Sequence, residues 1–405
     1  MTTSQGPAPS KTTVGILGAG PAGLLLARLL YVAGIDCVVI EAKDRAYVEQ
    51  RQRAGILEQG TVDALRECGA GARLDKEGLT HHGIEFLFDK ERHPIGFPEL
   101  TGGRTVMIYA QTEVCKDLIE LQVSAASSGA PPLLFETSAI AVDGANSQTP
   151  SIRYKTKDGA EHTLQCEYVV GCDGFWGVAR AAIPEELSKS YERTYPFSWL
   201  GILADVAPSN EDLIYARHPR GFTLLSMRSP TVSRNYIQVP NDTDANDWAD
   251  EEIWDEIERR TETKNGWKVQ RGPITQKSVT PMRSYVHEPM SYGRLFLAGD
   301  AAHIVPPTGA KGLNLAVGDV ITFANAIKHK VATGSDAKLQ AYSDNCLRRV
   351  WQAERFSYDM TNMLHTDPNE SDFVDKLQIA RLTRIVTNKA AATDTALAYT
   401  GFPLD

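Results

Sequence analysis

The stretch TTVGILGAGPAGLLLARLLYVAGIDCVVIEA, Thr12–Ala42, decides the fold. Thr12–Leu17 is an apolar run of strand length. GAGPAG breaks it. GLLLARLLYVAG then carries apolar residues at helical spacing and closes on Gly34, a residue type that ends helices in the left-handed conformation. IDCVVIEA returns to strand. Two parallel strands joined through a helix need cover on both faces, so the chain is read as α/β.

Gly18, Gly20 and Gly23 form G-x-G-x-x-G between that strand and that helix, with Ala22 inside the motif. Glycines there permit the tight turn and let backbone N–H groups approach a pyrophosphate at the positive helix end. Glu41 closes the second strand, where a carboxylate can accept from a ribose hydroxyl. The plain alternative is a tight turn without a ligand. Strand, helix and acid together favour a Rossmann-like dinucleotide-binding unit, although this motif does not separate FAD from NAD.

A second stretch separates them. GDAAHIVPPTGAKGLNLA, Gly299–Ala316, follows an apolar strand-like run and precedes a helix-like one. A nicotinamide enzyme has no use for a second distant loop at the same nucleotide. FAD is longer. Asp300 at a strand end suits its ribityl chain. Thr308–Asn314 offers backbone N–H groups and a helix N-terminus, which stabilises negative charge on a reduced flavin. A mere connector would not need two prolines and three glycines in so short a span.

At 405 residues the chain exceeds one simple core. Lys and Arg number 42 against 51 Asp and Glu, a net charge of −9, which argues against nucleic acid or an anionic membrane as partner. Six scattered cysteines form no CxxC pair and no zinc spacing, so no metal is expected and a reducing cytoplasm is. The N-terminus lacks an apolar signal-peptide core, and no window reaches membrane-spanning length. Residues 1–11 read as a disordered tail. Residues 12–189 and 284–345 read as a discontinuous FAD-binding domain. Residues 190–283 read as a β-rich substrate domain, and 346–405 as a helical C-terminal part. In the last, VWQAERFSYDMTNMLH (350–365) has large apolar residues at helical spacing and suggests a dimer-interface helix.

Within the β-rich part, period-two alternation puts Ser226 and Arg228 on one face of a strand and Leu225 and Met227 on the other. In RNYIQV, Arg234, Tyr236 and Gln238 share a face, opposite Ile237 and Val239. If the two strands pair, one face is apolar and the other gathers Ser226, Arg228 and Tyr236. A cation beside two hydroxyls suits a carboxylate, which Arg can hold bidentately. A solvated sheet face with a surface Arg fits the same pattern, and the pattern alone does not choose.

GAGPAG, GCDGF (171–175) and GDAAHIVPPTGAKGLNLA together resemble the flavin-dependent aromatic hydroxylases, class A monooxygenases with a single FAD. RAGILEQG (53–60), YAQTEV (109–114), LIYARHPRGF (213–222) and SVTPMRSYV (278–286) narrow the resemblance to the hydroxybenzoate hydroxylases, over residues 12 to 405. It implies hydroxylation of 4-hydroxybenzoate to 3,4-dihydroxybenzoate with NADPH and O2, through a flavin C4a-hydroperoxide, in a homodimer. It places FAD contacts on Gly18, Gly20, Ala22, Gly23, Glu41, Arg51, Gln52, Arg53, Ala54, Gly55, Ile56, Gln111, Asp173, Asp300, Gly312, Leu313 and Asn314. It chooses the binding reading for Arg228, with Ser226, Met227, Arg234, Tyr236, Pro307 and Thr308 around the substrate. It also implies that Tyr215 contacts the phenol, that Tyr399 is the next tyrosine along, and that His81 stands at the solvent end of a proton path, while the Pro307 carbonyl accepts from the substrate hydroxyl. The chemistry asks for such a path, because a phenolate attacks an electrophilic oxygen far better than a phenol does, and His titrates near neutrality.

The sequence departs from the family at two coenzyme positions. Trp176 follows GCDGF where a His is common, and Ala42 follows Glu41 where NADPH-preferring members often have Arg. Lys43, Arg45, Tyr47 and Arg283 remain to meet a 2′-phosphate, so NADPH is expected, with NADH as the alternative. A related hydroxylase for another hydroxybenzoate, an FAD-dependent oxidase or dehydrogenase, and a non-catalytic FAD-binding protein are the competing functions.

Overall fold

The structure, a computed structural model, describes residues 9–51 and 55–403. Gln52, Arg53 and Ala54, and most of the N-terminal tail, lie outside the described residues. Lys11, expected in that tail, already belongs to the first strand.

That strand, Lys11–Leu17, is central in the first sheet. It pairs in parallel with Cys37–Ile40 on one side and Glu161–Gly171 on the other, and Leu295–Leu297 pairs in parallel with the end of the latter. Val14, Ile16, Leu17, Val38 and Val39 are all buried, as both faces are covered. Parallel pairing has a functional consequence. The strands end together at Leu17, Ile40, Gly171 and Leu297, so the segments that follow (Gly18, Glu41, Cys172-Asp173, Gly299-Asp300) crowd one crevice at their carboxyl ends.

The second sheet has eight strands in the order His303–Ile304, Ile274–Glu288, Lys189–Ala204, Val232–Val239, Thr223–Ser229, Leu213–Ala216, Gly83–Phe88 and Glu91–Gly96. Two sequence expectations need correction here. Residues 83–96 join this sheet rather than the nucleotide domain, because Gly83–Phe88 pairs in parallel with Leu213–Ala216. No local pattern shows a partner so far along the chain. The boundary at 284 also falls inside a long strand, Ile274–Glu288, whereas that at 189 falls at the start of its partner, Lys189–Ala204. The expected hairpin of Thr223–Ser229 and Val232–Val239 forms, with Ser226 opposite Arg234 and Leu224 opposite Tyr236. Its apolar face, Leu225, Ile237 and Val239, packs with Ile253, Trp254 and Ile257 of the Asp250–Arg260 helix. The other face is not a bare polar surface. Trp199, Tyr215 and Leu224 there pack with Phe356, Met360 and Tyr399 from the C-terminal helices.

The 350–365 segment lies in the Tyr342–Leu364 helix. Most of its large apolar residues, Phe356, Met360, Met363 and Leu364, fill the chain's own core, so much of their helical spacing reports internal packing. Trp351 and Tyr358 are the ones exposed. In a small third sheet, Ile56–Glu58, Val106–Ile108 and Leu79–His81, Leu57 packs into the core of the first sheet and Val106 and Ile108 into that of the second. Among the described residues no helix is long and apolar enough to cross a membrane, and no group of three or more His, Cys, Asp or Glu could hold a metal ion.

Candidate active site

The crevice at the strand ends tests whether FAD fits. Gly18 has φ +93°, and a Cβ there would lie 2.3 Å from the Cys172 carbonyl oxygen. A Cβ on Gly23 would lie 2.0 Å from the Gly18 oxygen. The fold itself requires these two glycines. A Cβ on Gly20 would meet nothing within 4 Å. Its bareness therefore keeps open the space in front of the Pro21–Val32 helix, whose N-terminus has no side-chain cap. That is an anion cradle. Ala22 is buried in the helix's first turn.

Glu41 is fixed at its strand end by N–H groups of Ala19 and Lys43, both 2.7 Å from the carboxylate. Asp173 accepts from the Ala179 N–H at 2.9 Å, while its other oxygen is buried without a protein partner. Burial pushes its carboxyl up. Asp300 is exposed on the turn made possible by the positive φ of Gly299. Gly312 and Leu313 open the Gly312–Thr333 helix, again uncapped by a side chain. Gln111 opens another helix, and Gly55 sits where a Cβ would strike the Ala110 backbone at 2.7 Å. Arg51 is exposed, with its guanidinium 5.9 Å from the Tyr47 ring centre. An open helix terminus, an acid fixed at the neighbouring strand end and an orphaned buried oxygen fit a dinucleotide cofactor.

Asn314 is anchored through its side chain. Its amide donates to the carbonyls of Ile56 and Ala310 and accepts from the Glu58 N–H and the Thr61 hydroxyl. Those bonds use the polar atoms of its side chain to tie the loop to the third sheet, while its backbone stays in the first turn of the Gly312–Thr333 helix.

Next to this crevice lies a cavity of about 60 Å³, several times the space one water needs. Tyr215, Ser226, Met227, Arg228, Arg234, Tyr236, Pro307 and Ile56 all line it, with Trp199. Met227 was placed by alternation on the apolar face. A register shift between Met227 and Ser229 changes the alternation there, and consecutive residues reach the cavity. Ser226 donates to the Arg234 carbonyl. Arg228 donates to the Thr112 hydroxyl at 3.0 Å. Burial, then the charge of Arg234, holds the Arg228 guanidinium below its ordinary pKa. Two guanidinium groups facing one small cavity make it a site for an anion.

The Tyr215 and Tyr399 hydroxyls are 2.7 Å apart and both side chains are buried. Burial raises both phenols, so both are protonated at neutral pH. His81, expected at the solvent end, is only 2% exposed. Its Nε2 lies 3.3 Å from the Met227 sulfur and its Nδ1 3.7 Å from Asp212. Burial lowers it to about 4, well below neutrality. Among the described hydrogen bonds none joins it to Tyr399, so the tyrosine pair and His81 are not one continuous chain in this structure. The Pro307 carbonyl already accepts from the Ala310 N–H at 2.9 Å and retains a second lone pair. Thr308 is fully buried behind the loop and accepts from Thr361 rather than facing the cavity.

The residues expected to meet the coenzyme form two groups. Lys43 and Arg51 flank the exposed Tyr47 ring. Arg45 is paired with Glu49 and Glu120, leaving less of it for a phosphate. Arg283 lies 3.9 Å from the Phe175 ring centre and 3.8 Å from Glu192, and two of its nitrogens are buried without a hydrogen-bond partner. Trp176 is 89% exposed.

Sequence reasoning missed four residues. Lys311 is a fully buried cation, 2.6 Å from Glu58 and 3.0 Å from the Tyr399 carbonyl. Its signal was in the quoted loop, since a lone Lys among glycines and prolines is unlike a connector. His303 and Asp319 form a buried pair at 2.6 Å, and Asp319 also accepts from the Gly299 N–H, which fixes the Asp300 turn. Trp199 had no signal beyond a buried strand. A wider groove of about 490 Å³ lies by Arg260 and Gln238, but these are committed to Glu256 and Thr366.

The family model described as FAD binding domain matches residues 11–357. The p-hydroxybenzoate hydroxylase of Acinetobacter baylyi (strain ATCC 33305 / BD413 / ADP1) is 44% identical over 396 residues, covering 98% of this chain and 96% of that protein. The 3-(3-hydroxy-phenyl)propionate/3-hydroxycinnamic acid hydroxylase of Escherichia coli O139:H28 (strain E24377A / ETEC) is 25% identical over 77% of this chain and 54% of its own length. Among solved structures, p-nitrophenol 4-monooxygenase from Pseudomonas putida DLL-E4 aligns with a TM-score of 0.80 at 16% identity, covering 97% of this chain and 99% of that one, which shows a shared fold.

Proposed function

Since this chain belongs to the FAD-binding flavoprotein hydroxylases, the family of its p-hydroxybenzoate hydroxylase relative, we propose that it hydroxylates 4-hydroxybenzoate to 3,4-dihydroxybenzoate with NADPH and O2. One observation carries the choice of substrate. The small cavity is lined by Arg228 and by Tyr215, whose hydroxyl lies 2.7 Å from that of Tyr399. Tyr215 is paired with Leu224, and Arg228 lies four residues further along that strand, about 13 Å. Side chains reaching inward from those points leave room for one ring with a carboxylate at one end and a phenol at the other.

Arg228 holds the carboxylate, helped by Tyr236 and by Ser226 once its hydroxyl turns from the Arg234 carbonyl. At the other end the Tyr215 oxygen accepts from the substrate hydroxyl and passes its own hydrogen bond to Tyr399. Lys311, ion-paired to Glu58, donates to the Tyr399 carbonyl and so holds that residue's backbone beside Tyr215. Gly20, Glu41, Asp173, Asp300 and the Gly312 helix terminus hold FAD, which when bound accepts hydride and activates O2 for transfer of one oxygen atom to the ring. The apolar walls exclude water from that chemistry. Lys43, Tyr47 and Arg283 contact NADPH, with Trp176 offering a stacking face. His81 acts with Asp212 as a later proton acceptor, after local movement. The enzyme works as a homodimer in the cytoplasm.

The test is NADPH oxidation with a panel of hydroxybenzoates, scored for catechol product and H2O2. Stoichiometric 3,4-dihydroxybenzoate from 4-hydroxybenzoate is expected. Oxygen uptake that yields only H2O2 with every member would point to an oxidase.

A further inference from the structure

Two walls of the substrate cavity come from different parts of the fold. Trp199 stands on the Lys189–Ala204 strand, and Pro307 on the loop beside it. Both are tied to one turn of the Tyr342–Leu364 helix and the residue that follows it. The Trp199 indole N–H donates to His365 Nε2 at 2.6 Å. His365 Nδ1 donates to the Thr361 carbonyl at 2.8 Å. The Thr361 hydroxyl donates to the Thr308 hydroxyl at 2.9 Å, and Thr308 is the neighbour of Pro307.

We propose that this turn sets the width of the substrate cavity, with His365 positioning Trp199 on one wall and Thr361 positioning the Pro307–Thr308 loop on the other. The inference rests on reading the cavity as the 4-hydroxybenzoate site. Nothing about the four side chains is loose. Trp199, Thr308, Thr361 and His365 are all buried. The imidazole is stacked on Phe197 with ring centres 4.6 Å apart and planes 6° apart. Its two bonds require the neutral tautomer with the proton on Nδ1, because a proton on Nε2 would face the indole N–H. Burial holds it there, lowering its pKa to about 3. The helix end is pinned to the same sheet again, as Gln238 accepts from the Thr366 N–H at 3.1 Å.

Trp199 touches Tyr236, whose ring lies 4.9 Å away. Tyr236 in turn depends on Gly201, where a Cβ would meet its ring at 2.8 Å. A tilt of the indole would therefore move Tyr236 as well as the wall. Losing the His365 acceptor leaves a buried N–H unpaired, and the indole's cheapest response is to tilt toward the cavity. His365 touches no substrate, so its effect passes through Trp199.

A double-mutant cycle on the FAD-loaded protein tests this, reading the Kd of 4-hydroxybenzoate by flavin absorbance. His365→Leu should raise Kd about tenfold when Trp199 is present and less than about twofold in a Trp199→Phe background, where no N–H asks for an acceptor. His365→Gln should recover most of the affinity, since its carbonyl can accept from the indole and its amide can donate to Thr361. Equal losses in both backgrounds, or a Gln variant as weak as Leu, would overturn the proposal. If His365→Leu does not fold, His365→Asn replaces it in the cycle with the same expected pattern. Should the starting protein bind no hydroxybenzoate, the functional reading itself fails, and this inference with it.

Discussion

In the nucleotide crevice the decisive groups are backbone, and in the substrate cavity they are side chains. Gly18 and Gly23 are demanded by neighbouring main-chain oxygens, while Gly20 is demanded by empty space. The cavity is instead assembled from side chains far apart in sequence, as Tyr215 and Tyr399 meet across 184 positions. A crevice of the first kind tolerates nothing where backbone approaches backbone. A cavity of the second kind should fail one function at a time.

The largest effect should come from substituting the glycines. Gly18→Ala forces a Cβ against the Cys172 carbonyl at a positive φ, so it should destabilise the protein even without FAD, by at least about 1–3 kcal/mol. Gly20→Ala meets no protein atom and should leave apoprotein melting within about 2 °C of wild type. It should still raise the FAD dissociation constant at least about tenfold, read by flavin fluorescence. Equal apoprotein destabilisation by both changes would break the distinction.

This difference also explains what could be read in the sequence. Backbone demands leave local spacing, so the G-x-G-x-x-G turn, Glu41 and the Gly299–Asn314 loop were legible without any partner. The faces of the Thr223–Ser229 and Val232–Val239 strands were half legible. Alternation put Ser226 and Tyr236 together but sent Met227 to the wrong side, because a register shift leaves no mark on composition. The Tyr215–Tyr399 pair was reached only through resemblance. His81 was misplaced in its surroundings, since burial depends on Met227 and Asp212 from remote strands. Lys311 and His303 were missed for the same reason. A lone Lys or His carries no sign of being buried.

The next effect in size is at Arg228. Removing one partner of a buried charge pair costs about 2–5 kcal/mol. Arg228→Ala should therefore weaken 4-hydroxybenzoate binding by at least about tenfold while FAD affinity stays at the wild-type value. A parallel loss of FAD would mean that cavity and crevice are not separable.

Tyr215→Phe should do less to binding and more to the fate of oxygen. It removes the acceptor for the substrate phenol and leaves the Tyr399 hydroxyl without its 2.7 Å partner. A buried hydroxyl left unpaired costs about 1–3 kcal/mol, so the fold should survive. The variant should consume NADPH and O2 but release mostly H2O2. A wild-type ratio of 3,4-dihydroxybenzoate to NADPH consumed would show that the tyrosine pair does not activate the substrate.

At neutral pH the smallest effect is expected at His81. Burial lowers its pKa from the ordinary 6.5 to about 4, so at pH 7 it is neutral in the folded protein. His81→Asn then removes no charge, and 4-hydroxybenzoate binding at pH 7 should change by less than about threefold. Acid reveals the residue. Unfolded, the imidazole takes a proton near pH 6.5; folded, it takes one only near pH 4. Between those values the unfolded chain binds more protons, so the contribution of neutral His81 is fully present above pH 6.5 and is lost as pH falls toward 4. From pH 7 to pH 5 that loss is about 2 kcal/mol for this one group. His287 and His365, also buried and lowered, add slopes of the same sign, while His303 beside Asp319 is raised and opposes them. The clean measurement is therefore a difference: urea unfolding of wild type and His81→Asn at pH 7 and pH 5. The variant should lose less stability than wild type over that interval, by about one proton's linkage. Parallel losses would mean that His81 is already charged in the folded protein, held by Asp212, and that the proton path begins closer to the tyrosines than its buried, neutral ring allows.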